Sequence, residues 1–184
     1  MISHFAKLEY YKTLDMFELG LSVPQPYNRL TYSFSMELIG DADGPAPLLG
    51  DIKKDSIISP DEILEQVIEI LHDMFQSRWV HGDFSEHNLM LYNDKIYVID
   101  FLQSKNFALK DAVPYGSNLI ALSRAVRILH KDLKSILPFF KRCYRLSVDY
   151  NEVFNYIIGN FKKKIDKVLE DCSESSYSEF NKIS

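Results

Sequence analysis

Cysteine is scarce: Cys143 and Cys172 are the only two in 184 residues. Two thiols can pair with each other, but they cannot build the framework of a disulfide-stapled secreted domain. Glycine and proline are also few, seven of each, which excludes collagen-like and low-complexity chains. No apolar run approaches the ~20 residues of a membrane-spanning helix. Met1 to Lys12 is polar and aromatic and lacks the apolar core of a signal peptide. The expected location is cytoplasmic, with no membrane partner. Basic residues are outnumbered, 21 Lys and Arg against 26 Asp and Glu, for a net charge of −5. That balance argues against general or sequence-specific nucleic-acid binding, which needs a basic surface. One local exception is Lys131, Lys134, Lys141, Arg142 and Arg145, which reads first as a solvated helix face.

What remains is an ordinary globular composition, 46% hydrophobic and 26% charged. The length suits one domain, or one large lobe of a two-lobed enzyme. No internal repeat is visible. Phe5, Leu8, Leu14, Phe17 and Leu19 predict a helix over 4–19, ended by Gly20. Val23-Pro24-Gln25-Pro26 is an extended connector, and 30–39 reads as a strand or hairpin arm. Gly40 to Pro47 is the strongest break and a natural boundary between lobes. Ser59-Pro60-Asp61-Glu62 predicts a capping box opening a helix with a broad apolar face from Ile63 to Phe75. Two strands, 89–92 and 96–99, flank a polar turn at Asn93-Asp94, which predicts a hairpin. Helical patterns follow over 119–129, 134–144 and 153–169, and a Ser-rich tail over 173–184 is expected to be flexible.

The chemistry concentrates in His81-Gly82-Asp83-Phe84-Ser85-Glu86-His87-Asn88 and in Ile96-Tyr97-Val98-Ile99-Asp100-Phe101. Phosphoryl transfer needs a carboxylate to orient the attacking hydroxyl or water and accept its proton. It needs a second carboxylate to hold magnesium against phosphate, and a neutral oxygen ligand helps. Asp83, Asp100 and Asn88 fit those three requirements. The hairpin would bring Asn88 and Asp100 back to one edge. Asp100 follows an apolar strand, so burial there would demand a partner such as a metal. Asp-x4-Asn is the catalytic-loop spacing of protein kinases. His81 is expected to orient the loop by hydrogen bonding. His4, His72, His87 and His130 show no metal-ligand spacing in the sequence.

These residues resemble the RIO family of atypical serine/threonine protein kinases, over about residues 5–105, in the branch of its founding member. Its typical Ser-Glu pair after the catalytic Asp is matched by Ser85-Glu86. Its hinge is matched by Met36-Glu37-Leu38-Ile39-Gly40-Asp41 through Pro47, and its metal-binding segment by Tyr97-Val98-Ile99-Asp100 with Gln103-Ser104. The resemblance implies an α+β, protein-kinase-like fold with a residual N-lobe over 1–39, a hinge over 40–50 and a mostly helical C-lobe over 51–172. It implies that Asp83 is the proton acceptor, that Asn88 and Asp100 bind magnesium, and that Asp100 is also the candidate aspartyl-phosphate site. Glu37 and Ile39 would meet adenine through their backbone, with Met36 as gatekeeper. Glu9 takes the place of the helix glutamate that pairs with an ATP-binding lysine. ATP and Mg2+ are the implied cofactors. The implied setting is ATP-dependent kinase or ATPase action in small-subunit maturation, with the pre-40S particle or its assembly factors as partners.

The chain departs from the family pattern at both ends of the match. No glycine-rich loop or strand lysine precedes Glu9, and Lys7 and Lys12 lie on the wrong element to replace that lysine. The family's His- and Phe-bearing stretch is not recognisable in 107–122. Three readings follow: an enzyme with a reduced nucleotide lobe, a non-catalytic scaffold, or a small-molecule or tRNA-modification kinase-like phosphotransferase. The Gly40–Pro47 loop and the Ser-Glu pair argue against the third.

Overall fold

The first turn-forming glycine is where the chain changes direction. The computed structural model describes residues 2–53, 57, 59–108 and 115–166, and its first helix, α1, spans Ile2–Glu18. Gly20 adopts φ +78°, a left-handed conformation that costs a side-chain-bearing residue energy, and so ends the helix. The Gly20 N–H then bonds Phe17 O at 2.9 Å and the Leu21 N–H bonds Met16 O at 3.1 Å. The buried face of α1 differs from the one expected. Ala6, Thr13 and Met16 are buried, whereas Phe5, Leu8, Phe17 and Leu19 are exposed. Spacing identified the helix correctly, but which face is covered depends on what packs against it.

Among the described residues four two-stranded antiparallel sheets follow. β1 (Pro26–Arg29) pairs with β2 (Phe34–Met36), so the predicted 30–39 strand begins after a turn and the prolines lead into a strand of their own. β3 (Gly40–Asp41) and β4 (Gly44–Pro45) fold the predicted break into a small hairpin. β5 (Trp79–Val80) pairs with a late strand, β8 (Lys105–Asn106). β6 (Leu89–Tyr92) and β7 (Lys95–Val98) form the predicted hairpin, in register Leu89↔Val98 to Tyr92↔Lys95. Its turn residues Asn93 and Asp94 both have positive φ, +50° and +58°, as a two-residue hairpin turn requires.

The core is built on α2 (Pro60–Gln76), whose Val67, Met74 and Phe75 are fully buried. Phe75 meets Phe107 and Phe161 at ring-centroid distances of 4.9 and 5.5 Å. Ser59 is the N-cap and Pro60 occupies N1, as predicted, but the Ser59 side chain makes no capping bond. The capping box is therefore absent, because the backbone at Ser59 (φ −127°, ψ 75°) does not bring its oxygen onto the first turn. Asp149 does cap its helix, α4 (Tyr150–Ile158), by accepting from the Glu152 N–H at 2.9 Å.

The two helical patterns over 119–129 and 134–144 are one helix, α3 (Tyr115–Tyr144). Pro138 lies inside it, and the helix continues for six residues beyond. The predicted 153–169 helix is α4, interrupted by a 3-10 turn at Gly159–Phe161 and helical again over 162–166. Cys172, residues 167–169 and the 173–184 tail lie outside the described residues.

Candidate active site

The loop between β5 and β6 is held by bonds from three directions. His81 is fully buried, in contact with Phe84 and Phe101 at ring-centroid distances of 5.4 and 5.1 Å. Its Nδ1 accepts from the Asp83 N–H at 3.3 Å, so Nε2 carries the proton and donates to Ile99 O, also at 3.3 Å. Burial lowers the His81 pKa to about 4. The neutral ring thus ties the residue Asp83 to the residue preceding Asp100, which is the orienting role expected of it. Gly82 adopts φ +86°, and a Cβ there would lie 3.0 Å from Gln103 O. Glycine is required both by the backbone conformation and by that close approach.

Within the loop, the Asn88 Nδ2 donates to Asp83 O at 2.8 Å and lies 3.4 Å from Asp83 Oδ2. The amide nitrogen is thus committed to Asp83, and Oδ1 is the atom of Asn88 suited to a cation. The Ile99 N–H bonds Asn88 O at 3.0 Å, so the hairpin does return Asp100 to the neighbourhood of Asn88. Asp100 itself is exposed, with φ +60°, and its Oδ1 accepts from the Leu102 N–H at 3.3 Å. This corrects the expectation that burial forces a partner on Asp100. β7 ends at Val98, the chain turns outward, and water can solvate the carboxylate. The donor set still fits a hard divalent ion, with one solvated carboxylate and one oriented amide oxygen.

Helix α1 supplies two groups. Burial, then the negative charge of Asp100, raises the pKa of Glu9, while Lys12 opposes the shift. Glu9 and Asp100 are therefore close enough to repel, which a cation would relieve. The Lys12 Nζ donates to Leu102 O at 2.6 Å and to Ser104 O at 2.8 Å. Lys12 thus clamps the segment after Asp100, a role the sequence did not reveal.

Helix α3 supplies two more. Asp132, 1% exposed, accepts from the Gly82 N–H at 2.9 Å and the Phe84 N–H at 3.1 Å. Burial raises its pKa to about 6, against the lowering effect of those two bonds. Lys131 donates to Gly82 O at 2.6 Å, and its Nζ lies 3.9 Å from Asp83 Oδ1. Asp132 went unnoticed in the sequence, yet a signal existed: it falls on the apolar stripe of Leu129, Leu133 and Ile136, where a lone carboxylate needs donors. Glu86, of the Ser-Glu pair, lies 3.8 Å from Arg142 on the same helix.

The expected hinge residues lie on β2, at Met36, and just beyond it, at Glu37 and Ile39. The Glu37 N–H bonds Gln25 O and Ile39 O accepts from the Ala46 N–H, both at 2.8 Å. Ile39 is buried and Met36 is exposed. The 40–50 segment is joined to the β6–β7 hairpin by the Leu91 N–H to Pro47 O bond at 3.1 Å, and to the loop before it by the Gly50 N–H to Glu86 O bond at 3.0 Å. Away from this site, His72 does stand near carboxylates: ligating atoms of Glu69, His72 and Asp73 lie within 4.8 Å of one another, which the sequence reading had not anticipated. Tyr156 accounts for that cluster structurally, stacking on His72 and donating to Glu69 Oε1 at 2.5 Å.

Comparisons with known proteins bear on the family and the fold. The family model described as RIO domain matches residues 1–153. The chain is 28% identical over 153 residues to the RIO-type serine/threonine-protein kinase Rio1 of Thermoplasma acidophilum, covering 83% of this chain and 72% of that protein. It is 26% identical over 186 residues to the serine/threonine-protein kinase RIO1 of Homo sapiens, covering 97% of this chain but 30% of the human protein. The chain thus spans under a third of the human relative. Among solved structures, the Rio2 kinase-ADP/Mg2+-phosphoaspartate complex from Chaetomium thermophilum superposes with a TM-score of 0.63 at 19% identity, over 95% of this chain and 50% of that one. The likeness establishes a kinase-like fold. Among the described residues, no helix is long and apolar enough to cross a membrane.

Proposed function

The chain belongs to the RIO family of serine/threonine kinases, whose domain model matches residues 1–153, and on that premise we propose that it is an Mg-ATP-dependent phosphotransferase or ATPase. The observation that carries the proposal is the bonding of Asn88, whose Nδ2 holds Asp83 while its backbone carbonyl holds Ile99, next to Asp100. One residue thereby couples the proton-accepting loop to the metal-binding segment.

In this reading Asp83 accepts the proton of the acceptor hydroxyl or water. Its backbone is fixed by His81 and Asn88 and its loop by Asp132, so the carboxylate is positioned before substrate arrives. The Asn88 Oδ1 and the Asp100 carboxylate would hold Mg2+, which supplies charge neutralisation at the phosphate oxygens when bound. Lys131 adds a fixed cation beside Asp83. The Glu37 carbonyl and the Ile39 N–H would meet adenine's donor and acceptor, since the other backbone group of each is already bonded. Met36 would be the gatekeeper. The phosphoaspartate of the Chaetomium Rio2 complex supports Asp100 as an acceptor of a phosphoryl group. A division into a residual N-lobe (1–39), hinge (40–50) and C-lobe (51–172) belongs to the same proposal. So does a cytoplasmic role in small-subunit maturation, with the pre-40S particle as partner.

A scaffold lacking turnover is the second reading. It is favoured by the two backbone carbonyls that Lys12 holds, which commit two of its three N–H donors to the chain itself rather than to phosphate. Titration calorimetry with ATP, with and without Mg2+, tests both readings. The enzyme reading expects magnesium-dependent binding that Asp100→Asn weakens, and turnover that Asp83→Ala removes while nucleotide still binds. Equal turnover in wild type and Asp83→Ala would overturn the assignment of Asp83. Magnesium-dependent binding without turnover would favour the scaffold.

A further inference from the structure

Helix α3 carries an unusual charge distribution. Its Lys and Arg residues number six, and its single carboxylate, Asp132, is buried and turned into the catalytic loop. Arg124, Arg127, Lys131 and Lys134 follow one another at spacings of three, four and three, which puts them on one helix face. All four are exposed. Such a face in isolation is a solvated surface, but this one borders a cavity of about 1070 Å³ between α3 and β8. Lys105 of β8 joins the rim, and among the described residues that line the cavity none is a carboxylate. Five cations thus gather round one opening in a chain whose net charge is −5. The floor is apolar, formed by Phe107, Ala121, Ala125 and Ile128.

Lys131 belongs both to this rim and to the catalytic loop, 3.9 Å from Asp83 Oδ1. A chain lying in the groove would pass within one side chain of the proton acceptor. We infer that the groove binds an acidic peptide segment, with Asp or Glu on the basic rim, an aliphatic side chain on the floor and the acceptor Ser or Thr directed to Asp83. The acceptor role rests on the phosphotransferase reading above; the binding does not.

The chemistry favours peptide over nucleic acid. Single-stranded nucleic acids need aromatic faces for base stacking as well as cations. Among the described residues that line the groove none offers an open aromatic face: Phe107 is 4% exposed and packed on Phe75 and Phe161, and the His130 ring stacks on Phe154 and Tyr150. An aliphatic floor inside a basic rim suits alternating acidic and branched residues.

The test uses the full chain and fluorescence anisotropy without nucleotide. One probe is a labelled peptide with Glu and Leu alternating around a single Ser, the second replaces every Glu with Gln, and the third is labelled oligouridine of equal charge. The acidic peptide is expected to bind about tenfold or more tighter than the Gln peptide, and to lose about tenfold or more in Arg124→Glu/Lys134→Glu, with binding weakened by salt. Circular dichroism and the milder Arg124→Gln/Lys134→Gln variant, for which a smaller loss is expected, separate lost binding from lost folding. Equal binding of both peptides, equal binding by wild type and variants, or tighter binding of oligouridine would each overturn the inference. Magnesium-dependent ATP binding is measured on the same samples. Peptide binding without it would sink the nucleotide reading alone, and ATP binding without peptide preference would sink the groove alone.

Discussion

The carboxylate of Asp132 holds the Gly82 N–H at 2.9 Å across 50 residues of chain. It also holds the Phe84 N–H, so the two amides flanking Asp83 share one buried acceptor. The position of the candidate proton acceptor is therefore decided by a helix remote from it in sequence. Asp132 touches backbone rather than any reacting atom and is a positioning residue.

Asp132→Ala should lose two charge-assisted hydrogen bonds and leave two buried N–H groups without their acceptor. The expected destabilisation is about 3 kcal/mol or more, measured by urea unfolding. Glu at the same position should not rescue it, because the loop is too closely packed for the added methylene. A variant within a few tenths of a kcal/mol of wild type would show that the loop is held by His81 and Asn88 alone.

The two buried titrating groups act in opposite directions with pH. His81 has a folded pKa depressed to about 4, so its contribution is present above its ordinary value of 6.5 and is lost as pH falls through 4. Asp132 has a folded pKa raised from 3.8 to about 6, so its contribution is present below 3.8 and is lost as pH rises through 6. Between pH 6.5 and 4 the two offset. Asp132→Asn removes the second alone, and its stability should fall more steeply than that of wild type on acidification across this window, by up to about 3 kcal/mol. Parallel pH profiles for the two proteins would contradict the assignment.

Lys12→Met keeps the aliphatic stem of the side chain and removes the clamp on Leu102 O and Ser104 O. The cost to stability should be about 1–2 kcal/mol. Hydrogen exchange should rise in 100–104 while the α2 core stays protected. No local change in exchange would mean that the Ser104 Oγ to Phe101 O bond, 2.8 Å long, suffices to hold that turn.

Ser59→Ala should be nearly neutral, within about 0.5 kcal/mol, because the hydroxyl makes no capping bond. Asp149→Ala removes a cap that is made and should cost about 1 kcal/mol. Thermal unfolding of the pair tests whether the first turns of α2 and α4 differ as the structure shows.

Short-range physics was legible in the amino-acid sequence. Gly20 ends α1 because its left-handed conformation is local, and Asn93-Asp94 makes a hairpin because two adjacent positive φ angles suit those residues. The spacing of Asp83 and Asn88 placed both in one loop, and the hairpin predicted the return of Asp100 to Asn88. The apolar face of α2 was readable from periodicity alone.

Contacts between distant segments were decided only in three dimensions. A capping box at Ser59 satisfied the sequence pattern and failed on two backbone angles. The aromatic and aliphatic residues of α1 marked a helix but not its buried face, since burial is settled by the neighbour. Asp100 ended an apolar run, and one positive φ turned it into solvent. Asp132 and Lys12 reach the site across 50 and 90 residues, where no periodicity or motif links donor to acceptor. Local sequence specifies dihedral preferences and faces, whereas hydrogen bonds at that separation exist only once packing has brought their elements together.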